Sequence, residues 1–321
     1  MRFVVIGAGA IGGVVGGLLH RSGNEVTLVA RGEHGAAIAS GGLVLEQPGE
    51  VHTLAVRVAR SAADVDWSGR PVVLLAVKSQ DTQPVLEVLA RTAPADTAVV
   101  CMQNGVENER RVLRHFANTY AMCVMCPATH LRPGVVQAHS SPVPALLDLG
   151  RYPSGVDATA TAVSSAMAGT GIDSVPRADV MRWKYRKLVM NVLNAVDALC
   201  GPAARDSELA QEARRESEAC LRAAGIDVAS VEEDRARRGD LLSVQPTPSG
   251  PHRGSSSWQS LARGGTAEAD YLNGEIVLLG RLVGFPTPVN AVLQRLVAER
   301  VAAGDGPGAM PPEVILGQAG L

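Results

Sequence analysis

Residues Phe3 to Arg31 constrain this chain more than any other stretch. An apolar run from Phe3 to Ile6 meets Gly7-Ala8-Gly9-Ala10-Ile11-Gly12, continues as a small-residue helical segment to about Arg21, and turns apolar again from Val26 to Val29. That order reads strand, tight turn, helix, strand. In such a unit the first glycine permits the turn, the second lets backbone approach a pyrophosphate, and the third lets the helix pack on the sheet. The phosphate sits on the helix N-terminus, where backbone N–H groups lack partners. The glycine spacing carries little alone, and the strand before it and helix after it supply the confirming context. Gly7, Gly9, Ala10, Ile11 and Gly12 are therefore expected to hold a dinucleotide.

The end of the second strand bears on which dinucleotide. An NAD site needs a carboxylate there for the ribose 2′-hydroxyl, and an NADP site needs a cation for the 2′-phosphate. The chain reads Leu28-Val29-Ala30-Arg31, with no acid at the strand end, so NADP(H) is favoured. The alternative makes Arg31 a solvated loop charge and Glu33 the ribose acceptor, but a guanidinium fork suits phosphate and Glu33 comes late. A signal peptide over Phe3 to Leu19 is rejected, because six of those residues are glycine and no Ala-x-Ala-like site follows closely.

Length and composition exclude several classes. A chain of 321 residues has room for two domains, and 46% hydrophobic against 19% charged residues is unlike a disordered protein. A net charge of −2 with dispersed arginines argues against nucleic acid. No apolar run reaches membrane-spanning length, which makes a cytoplasmic protein the default. Five scattered cysteines fit a reducing compartment. Cys123 and Cys126 form Cys-x-x-Cys, but in a strand that odd spacing points the side chains to opposite faces, so no metal site is expected.

Beyond Arg31 the pattern alternates. Gly42 to Glu46 and Val51 to Val58 read as strands, with a hairpin across Gln47-Pro48-Gly49-Glu50. Val72 to Val77 and Ala98 to Met102 read as strands buried on both faces, with a helix over Thr82 to Ala93 between them. Cys123 to Ala128 and Val143 to Leu149 read as an antiparallel pair. The expected architecture is an α/β doubly wound Rossmann domain over residues 1–175 and an all-α domain over 176–321. In the second, helices are expected at about Ala178 to Cys200, Asp206 to Ala224, Val231 to Leu242, Trp258 to Ala262, Glu268 to Leu282 and Val289 to Ala302. Ser243 to Ser257 reads as a Pro, Gly and Ser-rich loop, either an inert connector or a mobile lid. The tail from Gly304 reads as irregular.

Three places carry candidate chemistry. Ligands of open parallel sheets bind beyond the strands' carboxyl ends, where Lys78 follows Val77 and Gln103-Asn104-Gly105 follows Met102. Lys78 is expected near cofactor phosphate or substrate, and Asn104 near nicotinamide ribose or substrate. On the helix Ala178 to Cys200, Lys187, Asn191 and Asn194 fall at i, i+4 and i+7 and share one face, which is expected to look onto the substrate. Lys184 or Arg186 remains an alternative cation there, and Asn194 an alternative structural amide. Glu268-Ala-Asp-Tyr-Leu-Asn-Gly opens a later helix, where an acid complements the dipole without any function and Asp270 and Asn273 are readable as solvent-facing.

Taken together, these residues resemble the ketopantoate reductase family along nearly the whole chain. The resemblance rests on the glycine turn with Arg31, Lys78, Gln103-Asn104-Gly105, Lys187-Leu-Val-Met-Asn191, Glu268 to Gly274, and Pro286-Thr287-Pro288. It implies NADPH-dependent reduction of 2-dehydropantoate, a small 2-oxo acid, to pantoate. It assigns Lys187 as catalytic lysine, Glu268 as substrate-binding carboxylate, and Asn104, Asn191 and Ser256 as polar substrate contacts. One departure stands out: where the family often has a second asparagine, eight residues after the lysine, this chain has Ala195, with Asn194 beside it. A reductase of another 2-oxo acid or imine, or a non-catalytic NADP(H) sensor, are the rival readings. A homodimer is left open, since the sequence singles out no exposed apolar stripe.

Overall fold

The structure, a computed structural model, describes residues 1–321. It divides into two compact units. The first comprises Met1–Gln103, Asn108–Met181 and Glu232–His252, and the second Asn104–Glu107, Arg182–Val231 and Arg253–Leu321. Residues 232–252, expected with the helical half, thus group with the first unit.

In chain order the first unit opens with β1 (Arg2–Ile6), α1 (Ala10–Arg21), β2 (Glu25–Val29), α2 (Gly32–Gly41), β3 (Leu43–Gln47), β4 (Glu50–Leu54) and β5 (Arg57–Ala59). It continues with β6 (Val72–Leu75), α3 (Thr82–Thr92), β7 (Val99–Cys101), α4 (Asn108–Leu113), β8 (Thr119–Met125) and β9 (Ala128–Thr129). Then come β10 (Val135–Ala138), β11 (Ser140–Pro142), β12 (Leu146–Arg151) and α5 (Ala158–Ala168). The main sheet has strand order β12-β8-β7-β6-β1-β2-β5, parallel except between β12 and β8. Side chains of β1 alternate between faces: Phe3 and Val5 join a core with α1 and α5, Val4 and Ile6 one with α3 and α4. The strand order reverses at β1, and such a switch point is where doubly wound sheets open a ligand crevice.

A second sheet, β4-β3-β10-β9, explains why α1 is so rich in glycine. A Cβ on Gly16 would lie 2.6 Å from the Leu28 side chain in the main sheet, and one on Gly13 would lie 2.6 Å from Val136 in β10. The helix runs between two sheets, and larger residues would push them apart.

Several expected elements take another form. The hairpin forms with Gln47 opposite Glu50, but Val51 to Val58 splits, with β5 pairing alongside β2 in the main sheet. The strand expected at Cys123 to Ala128 starts earlier, at Thr119, and breaks before β9. Helices α2, α4 and α5 lie where none was expected.

Beyond α5 come α6 (Val180–Asn191), α7 (Leu193–Cys200), α8 (Glu208–Ala223), α9 (Val231–Arg238), β13 (Leu242–Val244), α10 (Ser256–Ala262), α11 (Asn273–Val283), α12 (Pro288–Ala303) and α13 (Pro312–Ala319). A helix therefore stands in the tail expected to be irregular, started by Pro312 at its first position, where the missing N–H costs nothing. The strand β13, also unexpected, pairs with β11. The segment holding α9 and β13 is tied to the first unit by charge. Asp148 of β12, 4% exposed, accepts from Arg237 Nε at 2.8 Å and Nη2 at 2.6 Å, and from Arg177 Nε at 2.6 Å. Burial alone would raise the Asp148 pKa, but the two arginines outweigh it and hold the carboxyl below its usual range. The loop after β13 is anchored as well. Glu46 of β3 accepts from Gln137 Nε2 at 2.9 Å, Thr247 Oγ1 at 3.2 Å and the Ser249 backbone N–H at 3.1 Å.

Candidate active site

The glycine turn sorts its three residues by what surrounds them. Gly7 has φ +99°, and a Cβ there would lie 2.8 Å from the Val77 backbone nitrogen. A Cβ on Gly12 would collide with the Gly7 carbonyl oxygen. Both glycines are therefore required by the fold. Gly9 differs: its φ of −65° suits any residue, and a Cβ there would meet nothing within 4 Å. Nothing in the fold around it requires a glycine there. Ala10, Ile11 and Gly12 follow as the first turn of α1, whose leading N–H groups have no intrahelical partners. With no acidic residue in that first turn, the site fits a dinucleotide pyrophosphate.

Arg31 is exposed just past β2 and is the N-cap residue of α2, with Glu33 also exposed in the first turn. Lys78 is half-buried beyond β6, at the start of a 3-10 turn. Behind it a buried amide network fixes the strand ends. Gln103 Nε2 donates to Val77 O at 2.8 Å and Thr82 Oγ1 at 2.9 Å, and Thr82 Oγ1 donates to Asn108 Oδ1 at 2.9 Å.

Sequence reasoning missed His34. Its Nδ1 accepts from the Gly134 backbone N–H at 2.9 Å, so Nε2 carries the hydrogen and donates to Ala8 O at 2.7 Å. The neutral ring thereby holds the glycine turn from behind, with the His130 ring 4.0 Å away. Burial pushes the His34 pKa below its ordinary 6.5, and the bond to Ala8 offsets this only in part. Nothing local in the sequence connects His34 to a turn 26 residues earlier.

In the second unit the expected helix Ala178 to Cys200 is two helices, interrupted at Val192. The cause is a side chain from elsewhere: Asn273 Nδ2 donates to Val192 O at 3.1 Å, and Ala195 N turns to Val192 O three residues back, at 3.4 Å. Asn273, readable as solvent-facing, is 1% exposed and also donates to Asn290 Oδ1 at 3.0 Å. Because of the interruption, Asn191 and Asn194 serve different neighbours. Asn191 Nδ2 donates to Asn104 Oδ1 at 3.0 Å, which fixes the Asn104-Gly105 turn. Asn194 Nδ2 donates to Ser256 Oγ at 3.2 Å, and its Oδ1 accepts from Arg205 at 3.2 Å. Lys187 is half-buried one turn before Asn191, while the alternative cation Lys184 is 3% exposed. Glu268, 9% exposed, precedes a 3-10 turn, and α11 begins only at Asn273.

Ser256 is held by the start of α10. Ser255 Oγ accepts from Trp258 N and donates to Asn194 O, both at 3.3 Å, while Ser255 N donates to Asp197. No group of three or more His, Cys, Asp or Glu residues is arranged to hold a metal ion. No helix is long and apolar enough to cross a membrane.

A glycine cradle at a Rossmann switch point, joined in one chain to a helical unit bearing a lysine, a glutamate and paired amides, is the equipment of a nicotinamide-dependent oxidoreductase. The comparisons narrow that class. Residues 3–153 match the family model described as ketopantoate reductase PanE/ApbA, and residues 179–301 match that family's C-terminal model. The chain belongs to the ketopantoate reductase family. It is similar to 2-dehydropantoate 2-reductase of Pyrococcus horikoshii, 27% identical over 95% of this chain and 99% of that protein. The PanE/ApbA family ketopantoate reductase of Ralstonia eutropha JMP134 shares its fold with TM-score 0.79, at 29% identity over 95% of this chain and 99% of that one. D-mandelate dehydrogenase, solved with NADH and anilino(oxo)acetate, has the same fold at 23% identity, with TM-score 0.81 over 95% of this chain and 99% of that one.

Proposed function

We propose that this protein reduces 2-dehydropantoate to pantoate with NADPH, using Lys187 as general acid. The cofactor is assigned to residues 1–175, and substrate and catalysis to residues 176–321 together with the Asn104 turn. The observation that carries the reading is the paired amide set, Asn104 with Asn191 and Asn194 with Ser256, in the same compact unit as Lys187 and Glu268. Family membership supports it across both halves of the chain.

Bound NADPH supplies hydride to the C2 carbonyl carbon. As charge grows on the carbonyl oxygen, the Lys187 ammonium stabilises it by a hydrogen bond and then donates the proton. Glu268 accepts from the substrate's C4 hydroxyl, which selects against 2-oxo acids that lack one. Ser256 and the amides of Asn104 and Asn191 orient the carboxylate and exclude competing poses. Arg31 takes the ribose 2′-phosphate, a role supported by its exposure at the end of β2, and Lys78 supports the phosphates.

A steady-state assay of cofactor oxidation tests this, comparing 2-dehydropantoate with 2-oxoisovalerate and NADPH with NADH. The expected result is a preference for NADPH and at least a roughly 10-fold higher kcat/KM for 2-dehydropantoate, the scale of one lost buried hydrogen bond. Equal kcat/KM for the two acids would remove Glu268 from substrate selection. Turnover only on a different 2-oxo acid would replace the substrate.

A further inference from the structure

Asn194 was expected to face a ligand, yet both ends of its amide are engaged by protein. We propose that Arg205 and Asn194 are positioning residues that fix the direction in which the Ser256 hydroxyl donates, reserving its proton for a substrate carboxylate. The inference rests on the substrate reading above and deepens it.

The argument is one of hydrogen-bond polarity. A guanidinium has donors only, so the Asn194 atom 3.2 Å from Arg205 Nη2 has to be the oxygen. The amide nitrogen then faces Ser256 Oγ, also at 3.2 Å. An amide NH2 only donates, so Ser256 Oγ accepts and its own O–H must point elsewhere. Asn194 is 6% exposed, which leaves little water to satisfy a flipped amide. The other contacts that pin the start of α10 use the Ser255 hydroxyl, the Ser255 N–H and the Ser256 carbonyl, which accepts from Ser260 Oγ at 2.7 Å. None of them uses the Ser256 O–H. Without Arg205 the Asn194 amide is free to turn over, and Ser256 would then donate back into it instead of to an anion.

Arg205 stands in a 3-10 turn, Pro202–Asp206, that follows α7 directly, so one short segment supplies both polar groups that control Ser256. Asn194, which stands beside Ala195, is thus used behind Ser256 rather than on the substrate itself.

A double-mutant cycle tests the proposal. Arg205→Met and Arg205→Lys are made in the wild-type and Ser256→Ala backgrounds, with kcat, KM and NADPH Kd measured for each. Arg205→Met is expected to raise KM about 3- to 10-fold with kcat and NADPH Kd within about twofold, the scale of one misdirected hydrogen bond. Arg205→Lys, which keeps a donor, stays within about twofold of wild type. In Ser256→Ala the Arg205→Met effect shrinks to below about twofold, because no hydroxyl is left to direct. Asn194→Leu in the same cycle replaces Arg205→Met should that variant fold poorly. An equal KM effect in both backgrounds, or none in either, overturns the proposal. The cycle is run on whichever 2-oxo acid gives the highest kcat/KM, so failure of the 2-dehydropantoate reading alone leaves it decidable. If none turns over, calorimetric binding of oxamate to the NADPH complex takes its place, and absence of oxamate binding to the wild type overturns the proposal.

Discussion

Substituting the middle glycine of the turn separates a residue kept for a ligand from one kept for the fold. A Cβ on Gly9 meets no atom within 4 Å, and the backbone there is at φ −65°. Gly9→Ala should therefore leave the apo protein as stable as the wild type, with Tm within about 1 °C. In the proposed cofactor site the methyl takes up space that the pyrophosphate needs, so the pyrophosphate has to retreat from the first-turn N–H groups. Losing one such charge-assisted hydrogen bond costs about 1.5–3 kcal/mol, which predicts an NADPH Kd raised roughly 10- to 150-fold. Gly12→Ala is the control. Its Cβ would collide with the Gly7 carbonyl oxygen and lie 3.0 Å from the Ala76 Cβ, so the turn itself must give way. Overpacking of that kind costs about 1–3 kcal/mol or more and should lower the apo Tm by several degrees. Fluorescence titration of NADPH and thermal melts of the apo proteins measure both quantities. Wild-type affinity in Gly9→Ala would refute the placement of a pyrophosphate against Gly9. An apo Tm loss matching that of Gly12→Ala would refute the claim that Gly9 is unconstrained by the fold.

Three further outcomes are expected. Lys187→Ala should lower kcat by at least about 10²-fold, the lower range for a lost general acid, and near-normal turnover would exclude the lysine from proton transfer. Arg31→Ala should weaken NADPH while changing NADH affinity by less than about threefold, and an equal loss for both cofactors would reassign Arg31 away from the 2′-phosphate. Stability should fall as pH drops below 6.5, because burial lowers the pKa of His34 and His139, so the unfolded chain takes up protons there before the folded one. It should fall more steeply below 4.5, where Glu46 and then Asp148 follow, since their hydrogen bonds and arginine partners outweigh burial and lower their folded pKa values. A Tm that rises between pH 7 and 5.5 would contradict this sign.

What could be read from the sequence was local. The glycine turn, the buried strands at Val72 and Val99 and the hairpin at Pro48-Gly49 each carry their pattern within a few residues. The misses have long-range causes. The helix break at Val192 is produced by Asn273, which is 81 residues away in the chain. The loop after β13 owes its place to Glu46, whose contact with Thr247 spans 201 residues. Helix α2 begins Gly-Glu-His-Gly and lacks a marked apolar stripe, so periodicity gave no warning of it. Helix α13 stands in a tail that reads as irregular because proline usually breaks a helix, yet Pro312 occupies the one helical position that welcomes it. In the candidate site, residue types were legible but hydrogen-bond polarity was not. Neither His34 behind the turn nor Arg205 behind Asn194 belongs to a motif.

The return of residues 232–252 to the first unit bears on how this protein can be taken apart. A fragment ending at residue 175 would keep Asp148, 4% exposed, and lose both Arg177 and Arg237. The cut removes both cations that hold this carboxylate, together with chain that packs along β12. A nucleotide-binding half prepared by simple truncation would thus be compromised at the far edge of its sheet, and a viable dissection would have to splice the α9–β13 segment back in.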